Sequence, residues 1–439
     1  MRFPDQFLTH IRVNPGFDEA AFIQAHEEPA SISIRYNPFK PMSRLCDYPV
    51  PWSQYGCYLQ ERPTFALDPL FHAGAYYVQE ASSMFLETIL KTIGVHQQPQ
   101  RILDLCAAPG GKSTLIASTM HPDSVLFSNE VIKSRVPALK ENLTKWGAPN
   151  VIITQNDAAD YGALDAFFDV MVVDAPCSGS GMFRKDAHAA DEWSVENVMH
   201  CSRRQQRILQ DSIPALKPGG WLIYATCSYS QEENEHIVAS LIEHGWNPLS
   251  GVPEFSGVYT SSSGFRFYPD KVNGEGFYIA ALQKPIDDIH KSQSTGRMYK
   301  NSCTPALQFP TEWIAPEYTI AGYEWRNTLY GFSPAIQAVL PYAEQLNLQQ
   351  IGIPIGEYKR DDLIPDHAFA MSTLVHADIQ RIEVDLETAL HFLRKNTIHI
   401  ETPHPGWALI TFKQMALGWI KVIPGRINNY YPTEWRLRK

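Results

Sequence analysis

Between residues 101 and 230 the chain alternates short, nearly continuous apolar runs with longer stretches of helical spacing. The runs fall at 101–106, 124–130, 151–157, 168–175 and 220–226. Continuous apolar runs of this length predict strands covered on both faces, and strands alternating with helices predict a parallel, doubly wound sheet. From Gly264 to Leu282 the pattern changes: Phe265–Tyr268 and Gly276–Leu282 are strand-like and flank a turn at Asp270–Gly274. That predicts a hairpin suited to an antiparallel edge of the same sheet.

Upstream, Phe17–Ala25 has helical spacing, and Ser31–Tyr36 alternates as a strand before an Asn37–Pro38 turn. Gly74–Ser83 then leads into an amphipathic helix ending near Ile93. Residues 1–95 are therefore read as a small α/β module and 96–285 as the sheet-bearing domain. A polar stretch at 286–308 reads as a linker, and 309–375 as a mixed intermediate domain with no distinctive pattern. Residues 376–439 read as a compact β-rich module, with a helix near Leu386–Lys395 and short strands at Ala408–Thr411 and Gly418–Val422.

Charge changes the picture only locally. The 439 residues carry a formal charge of −10, which argues against a generally basic nucleic-acid binder. The tail differs: 376–439 holds nine Lys/Arg against six Asp/Glu, and from Lys395 onward the count is seven against two. A locally positive module on an acidic body is compatible with RNA binding. Without an 18-residue apolar run or the apolar core of a signal peptide, a soluble, cytoplasmic protein with no membrane contact is expected. Seven scattered cysteines with no C-x-x-C pair indicate neither a disulfide framework nor a metal site. Cys46, Cys57, Cys201 and Cys303 read as ordinary thiols, whereas Cys106, Cys177 and Cys227 each fall where a predicted strand ends.

The first of the five strands runs into Cys106-Ala107-Ala108-Pro109-Gly110-Gly111-Lys112 and then a helix. Strand, glycine turn, helix is how an open α/β sheet holds an adenosine-containing ligand at the carboxyl ends of its strands. A Walker A loop would need glycine at 106, and G-x-G-x-x-G fails because the two glycines are adjacent. A small adenosyl ligand without a phosphate chain, such as S-adenosylmethionine, fits better. The second strand ends at Glu130, placed to accept ribose hydroxyls; the third ends Gln155-Asn156-Asp157, where an amide or carboxylate can read adenine. The fourth ends Asp174-Ala-Pro-Cys177-Ser-Gly-Ser-Gly181, and the fifth Ala225-Thr-Cys227-Ser228. Four apolar residues before Asp174 also describe a Walker B strand, which keeps a P-loop NTPase as an alternative.

A thiol beside a methyl donor points to one reaction. Carbon 5 of cytosine is a poor nucleophile until a thiolate adds at carbon 6 and makes it enamine-like. A carboxyl group such as Asp174, bonded to ring nitrogen 3, stabilises the charge that develops. A base then removes the carbon 5 proton and the thiol leaves. Either Cys177 or Cys227 would serve as nucleophile on this argument alone.

These segments closely resemble the Nop/Sun family of RNA (cytosine-5) methyltransferases. Cys106–Lys112, Asp174–Gly181 and Ala225–Ser228 match its signatures in order, and Arg35-Tyr-Asn-Pro38 and Tyr77–Ser82 look like its N-terminal motifs. The resemblance implies a class I, Rossmann-like methyltransferase sheet using S-adenosylmethionine, bound by Cys106–Lys112, Glu130, Asp157 and Asp174. It implies Cys227 as nucleophile and Cys177 as the residue that releases product. The tail, through Gly406–Thr411, Leu417–Lys421 and Gly425–Pro432, resembles the PUA-type RNA-binding domain of the bacterial 16S rRNA (cytosine-5) methyltransferase F group. Arg35, Arg184, Lys185, Arg426, Asn429 and Tyr430 are the expected RNA contacts. Small-subunit ribosomal RNA is the expected substrate of a monomeric enzyme, with transfer RNA as the alternative; a non-catalytic RNA-binding protein is a rival from another class.

Overall fold

The computed structural model describes residues 3–40, 42, 46–287, 296–360, 362–401 and 404–438. An antiparallel sheet comes first, with β1 (Ile32–Tyr36) between β2 (Gly56–Leu59) and β3 (Tyr76–Val78). Each of the five apolar runs then falls on a strand, β4 (Arg101–Asp104), β5 (Val125–Asn129), β6 (Val151–Thr154), β7 (Phe168–Asp174) and β8 (Leu216–Thr226), the last starting four residues before its predicted run. They lie parallel in the order β8-β7-β4-β5-β6, so the order reverses between β4 and β7. A reversal of this kind opens a crevice at the carboxyl ends of the strands, where ligands of such sheets bind.

Alternate residues of these strands enter two different cores. Ile102, Leu126, Ile153, Val170 and Ile223 pack with Leu115, Ile116, Leu139 and Leu143. Leu103, Phe127, Ile152, Met171 and Leu222 pack with Ile208, Leu209 and Ile237 on the other face. Burial on both sides is why the strands read as unbroken apolar runs, each large side chain contributing about 1.5–3 kcal/mol. The predicted hairpin is present beyond β8. After the short β9 (Asn247–Pro248) and β10 (Tyr259–Ser261), β11 (Gly264–Phe267) and β12 (Phe277–Gln283) pair antiparallel, and β12 runs antiparallel to β8.

Part of the expected linker, 288–295, lies outside the described residues. Beyond it the backbone amides of Tyr299 and Asn301 donate to Gln345 and Glu344. An antiparallel sheet follows, β13 (Thr304–Pro305), β14 (Ala321–Trp325) and β15 (Thr328–Phe332), completed by β17 (Ile353–Lys359) and β18 (Asp362–Pro365). Between them β16 (Leu348–Ile351) leaves this group and pairs antiparallel with β6, closing the far edge of the central sheet. The tail forms a four-stranded sheet, β19 (Arg381–Glu383), β20 (Gly406–Phe412), β21 (Met415–Ile423) and β22 (Arg426–Asn429), with a helix at Leu386–Leu393. Its Phe392, Ile410, Leu417 and Ile420 share one core with Ile34, Tyr36 and Tyr76 of the first sheet.

One expectation about the cysteines is corrected. Cys46 and Cys57 form a disulfide, because the bridge between Pro49 and Cys57 folds the preceding segment back along β2 and brings the two Cα atoms to 5.8 Å. Among the described residues, no helix is long and apolar enough to cross a membrane.

Candidate active site

After β4 the chain turns through Cys106–Gly110 into a helix over Gly111–Thr119. Gly110 has φ +116°, a conformation that strains any side chain. A Cβ at Gly111 would meet the Tyr77 ring at 3.2 Å, so the loop lies close under a neighbouring element. Arg135 donates to the Ala108 carbonyl (2.6 Å) and Asn142 to that of Pro109 (2.9 Å), which fixes the turn from the side. Beneath it, fully buried Asp104 accepts from Ser113 Oγ (2.6 Å) through Oδ2, while its Oδ1 has no hydrogen-bond partner among the described residues. Burial pushes this carboxyl up to about 7, and the charges of Asp174 and Glu130 add to the effect.

Glu130, directly after β5, is 2% exposed. Its Oε1 accepts from the Ile132 amide (2.8 Å); Oε2 has no hydrogen bond, although Arg135 stands 3.2 Å away. A buried acceptor without a donor is what a ribose diol would complete. Asp157 is half exposed at the tip of β6 and caps the helix Ala158–Gly162. Asn156, the amide alternative, is buried and engaged by Asp160 and Asn347. The glycine loop, the Glu130 oxygen that has no hydrogen bond, and the open Asp157 side chain together fit an adenosyl cofactor.

The two cysteines meet. Cys177, beyond β7, and Cys227, immediately after β8, place their sulfurs 3.1 Å apart, and both remain partly exposed. The contact with Cys227 and burial drive the Cys177 thiol well above its ordinary value. Backbone approach holds the loops together: the Gly181 amide donates to the Cys227 carbonyl (2.8 Å), and a Cβ at Gly181 would lie 2.2 Å from the Gly276 carbonyl oxygen. Lys112 Nζ sits 2.7 Å from Asp174 Oδ2. Burial opposes the lysine's charge, but Asp174, with Asp104 and Cys227 adding, raises its affinity for a proton overall. The lysine that fits the end of a Walker A pattern is thus committed to Asp174, at the mouth of the cysteine pair.

Two residues with evident roles here were not singled out by the sequence. Asp104 was visible only as a polar break in an apolar strand. Glu233 stands in the polar run Gln231-Glu-Glu-Asn-Glu235 just after the fifth strand, yet it is fully buried. Its carboxylate accepts from the Ser178 amide (2.8 Å), Ser178 Oγ (2.6 Å), Ser228 Oγ (2.5 Å) and Gln205 Nε2 (3.2 Å). One side chain therefore ties the residue after Cys177 to the residue after Cys227.

The expected RNA contacts divide. Arg35 is 1% exposed; it donates to Gln79 Oε1 (2.7 Å) and Thr114 Oγ1 (2.6 Å) and lies over the Trp146 ring. Arg184 forks onto buried Glu275, with two nitrogens at 3.0 Å, and also donates to the carbonyls of Gly274 and Ala25. Both arginines hold the protein together and neither reaches a surface for RNA. Asn429 spends its amide on the Phe392 carbonyl and the Tyr431 amide. Tyr430 packs edge-on against Trp407. Lys185 and Arg426 are exposed, and Arg426 borders a groove of about 540 Å³ in the tail.

Comparison with known proteins agrees with this geometry. Residues 92–283 match the family described as 16S rRNA methyltransferase RsmB/F. Residues 3–81 match the N-terminal domain of 16S rRNA methyltransferase RsmF, and 379–437 the methyltransferase RsmF PUA domain. The chain is 30% identical to ribosomal RNA small subunit methyltransferase F of Klebsiella pneumoniae over 466 residues, covering 98% of this chain and 96% of that protein. For the Salmonella agona counterpart the identity is 31%, with the same coverage. A methyltransferase homolog protein from Pyrococcus horikoshii superimposes with a TM-score of 0.53 at 27% identity, over 63% of this chain and 94% of its own. NSun6 of the same organism, solved with SFG, shares the fold at 20% identity and a TM-score of 0.53, over 65% of this chain and 99% of its own.

Proposed function

Since the chain belongs to the 16S rRNA methyltransferase RsmB/F family, and transfers a methyl group from S-adenosylmethionine to RNA, we propose that its acceptor is carbon 5 of a cytosine in small-subunit ribosomal RNA. The observation that carries the chemistry is the pair of sulfurs 3.1 Å apart beside the Lys112–Asp174 ion pair and the glycine loop. Cys106–Lys112, Glu130, Asp157 and Asp174 would hold the cofactor, which supplies an electrophilic methyl group.

Cys227 is the nucleophile in this reading. Its thiol proton passes to the Asp174 carboxylate, the sulfur bonds carbon 6 of the flipped ring, and carbon 5 gains the electron pair that takes the methyl group. Asp174, the carboxylate held by Lys112, passes that proton to ring nitrogen 3 as charge builds there. Cys177 assists removal of the carbon 5 proton, after which the bond from Cys227 to carbon 6 breaks. The protein acts as a monomer in the cytoplasm, the compartment of its proposed substrate. Residues 1–95 and 376–439, packed together through a shared core, serve as RNA-binding modules, with Lys185, Arg426 and Tyr430 available to RNA.

Methylation of in vitro transcribed small-subunit rRNA, read by bisulfite sequencing, tests the acceptor; transfer RNA as the sole methylated RNA would refute it. Cys227→Ala should abolish turnover. Cys177→Ala should leave a covalent RNA adduct that survives denaturing gels, and an adduct formed without Cys227 would reverse the two roles.

A further inference from the structure

The helix Val195–Ser212 has two unlike faces. Inward, Gln205 donates to the Pro176 carbonyl (3.1 Å) and to Glu233, and Ser202 donates to the Glu232 carbonyl (2.7 Å), so this face holds the loop that carries Cys177. Outward, His200, Arg203, Arg204 and Arg207 follow the i, i+3, i+4, i+7 spacing that places side chains on one stripe. These four alone line a surface hollow of about 330 Å³. Arg207 stands 4.0 Å from Asp157 at the tip of β6 and 3.8 Å from Asp211. Among the described residues, no carboxylate lies within ion-pair distance of Arg203 or Arg204. The stripe therefore runs along the rim between the tip of β6 and the cysteine loop.

We infer that this stripe is a phosphodiester site that holds the RNA backbone beside the target cytosine. The inference rests on the RNA-methylating activity and names a surface for its substrate. A protein with a net charge of −10 repels RNA over most of its surface, so a cationic stripe at the mouth of the catalytic crevice, of which Arg203 and Arg204 have no carboxylate within ion-pair distance among the described residues, supplies local attraction. Guanidinium forks match phosphate oxygens, and the seven-residue span covers about 10 Å of helix, room for about two phosphates. The contact is to backbone, so it should not depend on base sequence.

The test is an Arg203→Gln/Arg207→Gln double variant of the full chain, compared with the native protein for binding to poly(U) and to small-subunit rRNA transcript over a series of salt concentrations. Losing about two phosphate contacts should lower the slope of log affinity against log salt by about 1.4 and weaken binding about tenfold at 0.15 M salt, for both RNAs. S-adenosylmethionine affinity, measured by calorimetry, should hold. An unchanged slope would make the stripe a solvated helix face and overturn the inference. Loss of cofactor affinity in place of RNA affinity would overturn it too, by assigning the stripe to the cofactor pocket. Native protein that binds poly(U) through the stripe but leaves the rRNA transcript unmethylated would refute the proposed acceptor and support the phosphate site.

Discussion

Replacing Glu233 with alanine should separate the two cysteines without touching the cofactor loop. In the native protein its carboxylate takes four hydrogen bonds, from Ser178 (two), Ser228 and Gln205. In Glu233→Ala the two serine hydroxyls, 3.2 Å apart, can turn to each other. The Ser178 amide and one Gln205 N–H cannot, and each buried donor left unpaired costs about 1–3 kcal/mol. Burial already pushes the Glu233 carboxyl above its ordinary value, so removing it relieves part of that cost. A net loss of about 2–4 kcal/mol is expected, read by urea unfolding. Glu233 hydrogen-bonds to both cysteine loops and to no residue of Cys106–Lys112. Single-turnover methylation should therefore fall at least tenfold while the dissociation constant for S-adenosylmethionine stays put. Glu233→Gln keeps an acceptor for the Ser178 amide and should recover most of both properties. A Glu233→Ala protein with native turnover, or one whose glutamine counterpart is equally damaged, would refute this positioning role.

Two further predictions concern buried charges. Asp104 ionises near 3.8 in the unfolded chain and near 7 in the folded one, so stability should decline as pH rises between those values. Above pH 7 the remaining cost is up to about 4 kcal/mol, so Asp104→Asn should stabilise the protein more at pH 8 than at pH 5; a pH-independent difference in urea unfolding would contradict this. Arg35→Met should cost about 2–4 kcal/mol by stranding its buried partners, yet leave the salt dependence of RNA binding unchanged. A stable Arg35→Met protein with a shallower salt slope would return that arginine to the RNA surface.

The central sheet was legible because burial on both faces writes an apolar run for every strand, and the glycine loop because its backbone demands are local. The convergence of Cys177 and Cys227 followed from strand ends sharing one edge, although their mutual distance did not. What escaped notice depends on partners far away in sequence. Glu233 looks like any helix-start glutamate until Ser178, 55 residues earlier, is set beside it. Arg35 reads as a surface cation unless Thr114 and Trp146 are known to enclose it. β16 has the unremarkable sequence Leu-Gln-Gln-Ile, and only its pairing with β6 makes it a strand of the central sheet. The Cys46–Cys57 pair gave no signal because spacing alone does not reveal a fold-back.

That late strand has a consequence for how the chain can be divided. Residues 92–283 look self-sufficient by family resemblance, but cutting after them would remove β16 and bare the backbone donors and acceptors along the outer side of β6. An uncovered edge flanked by Val151, Ile152 and Ile153 is a template for pairing with another copy. A catalytic fragment trimmed there should self-associate, and a soluble one would have to extend at least through Ile351.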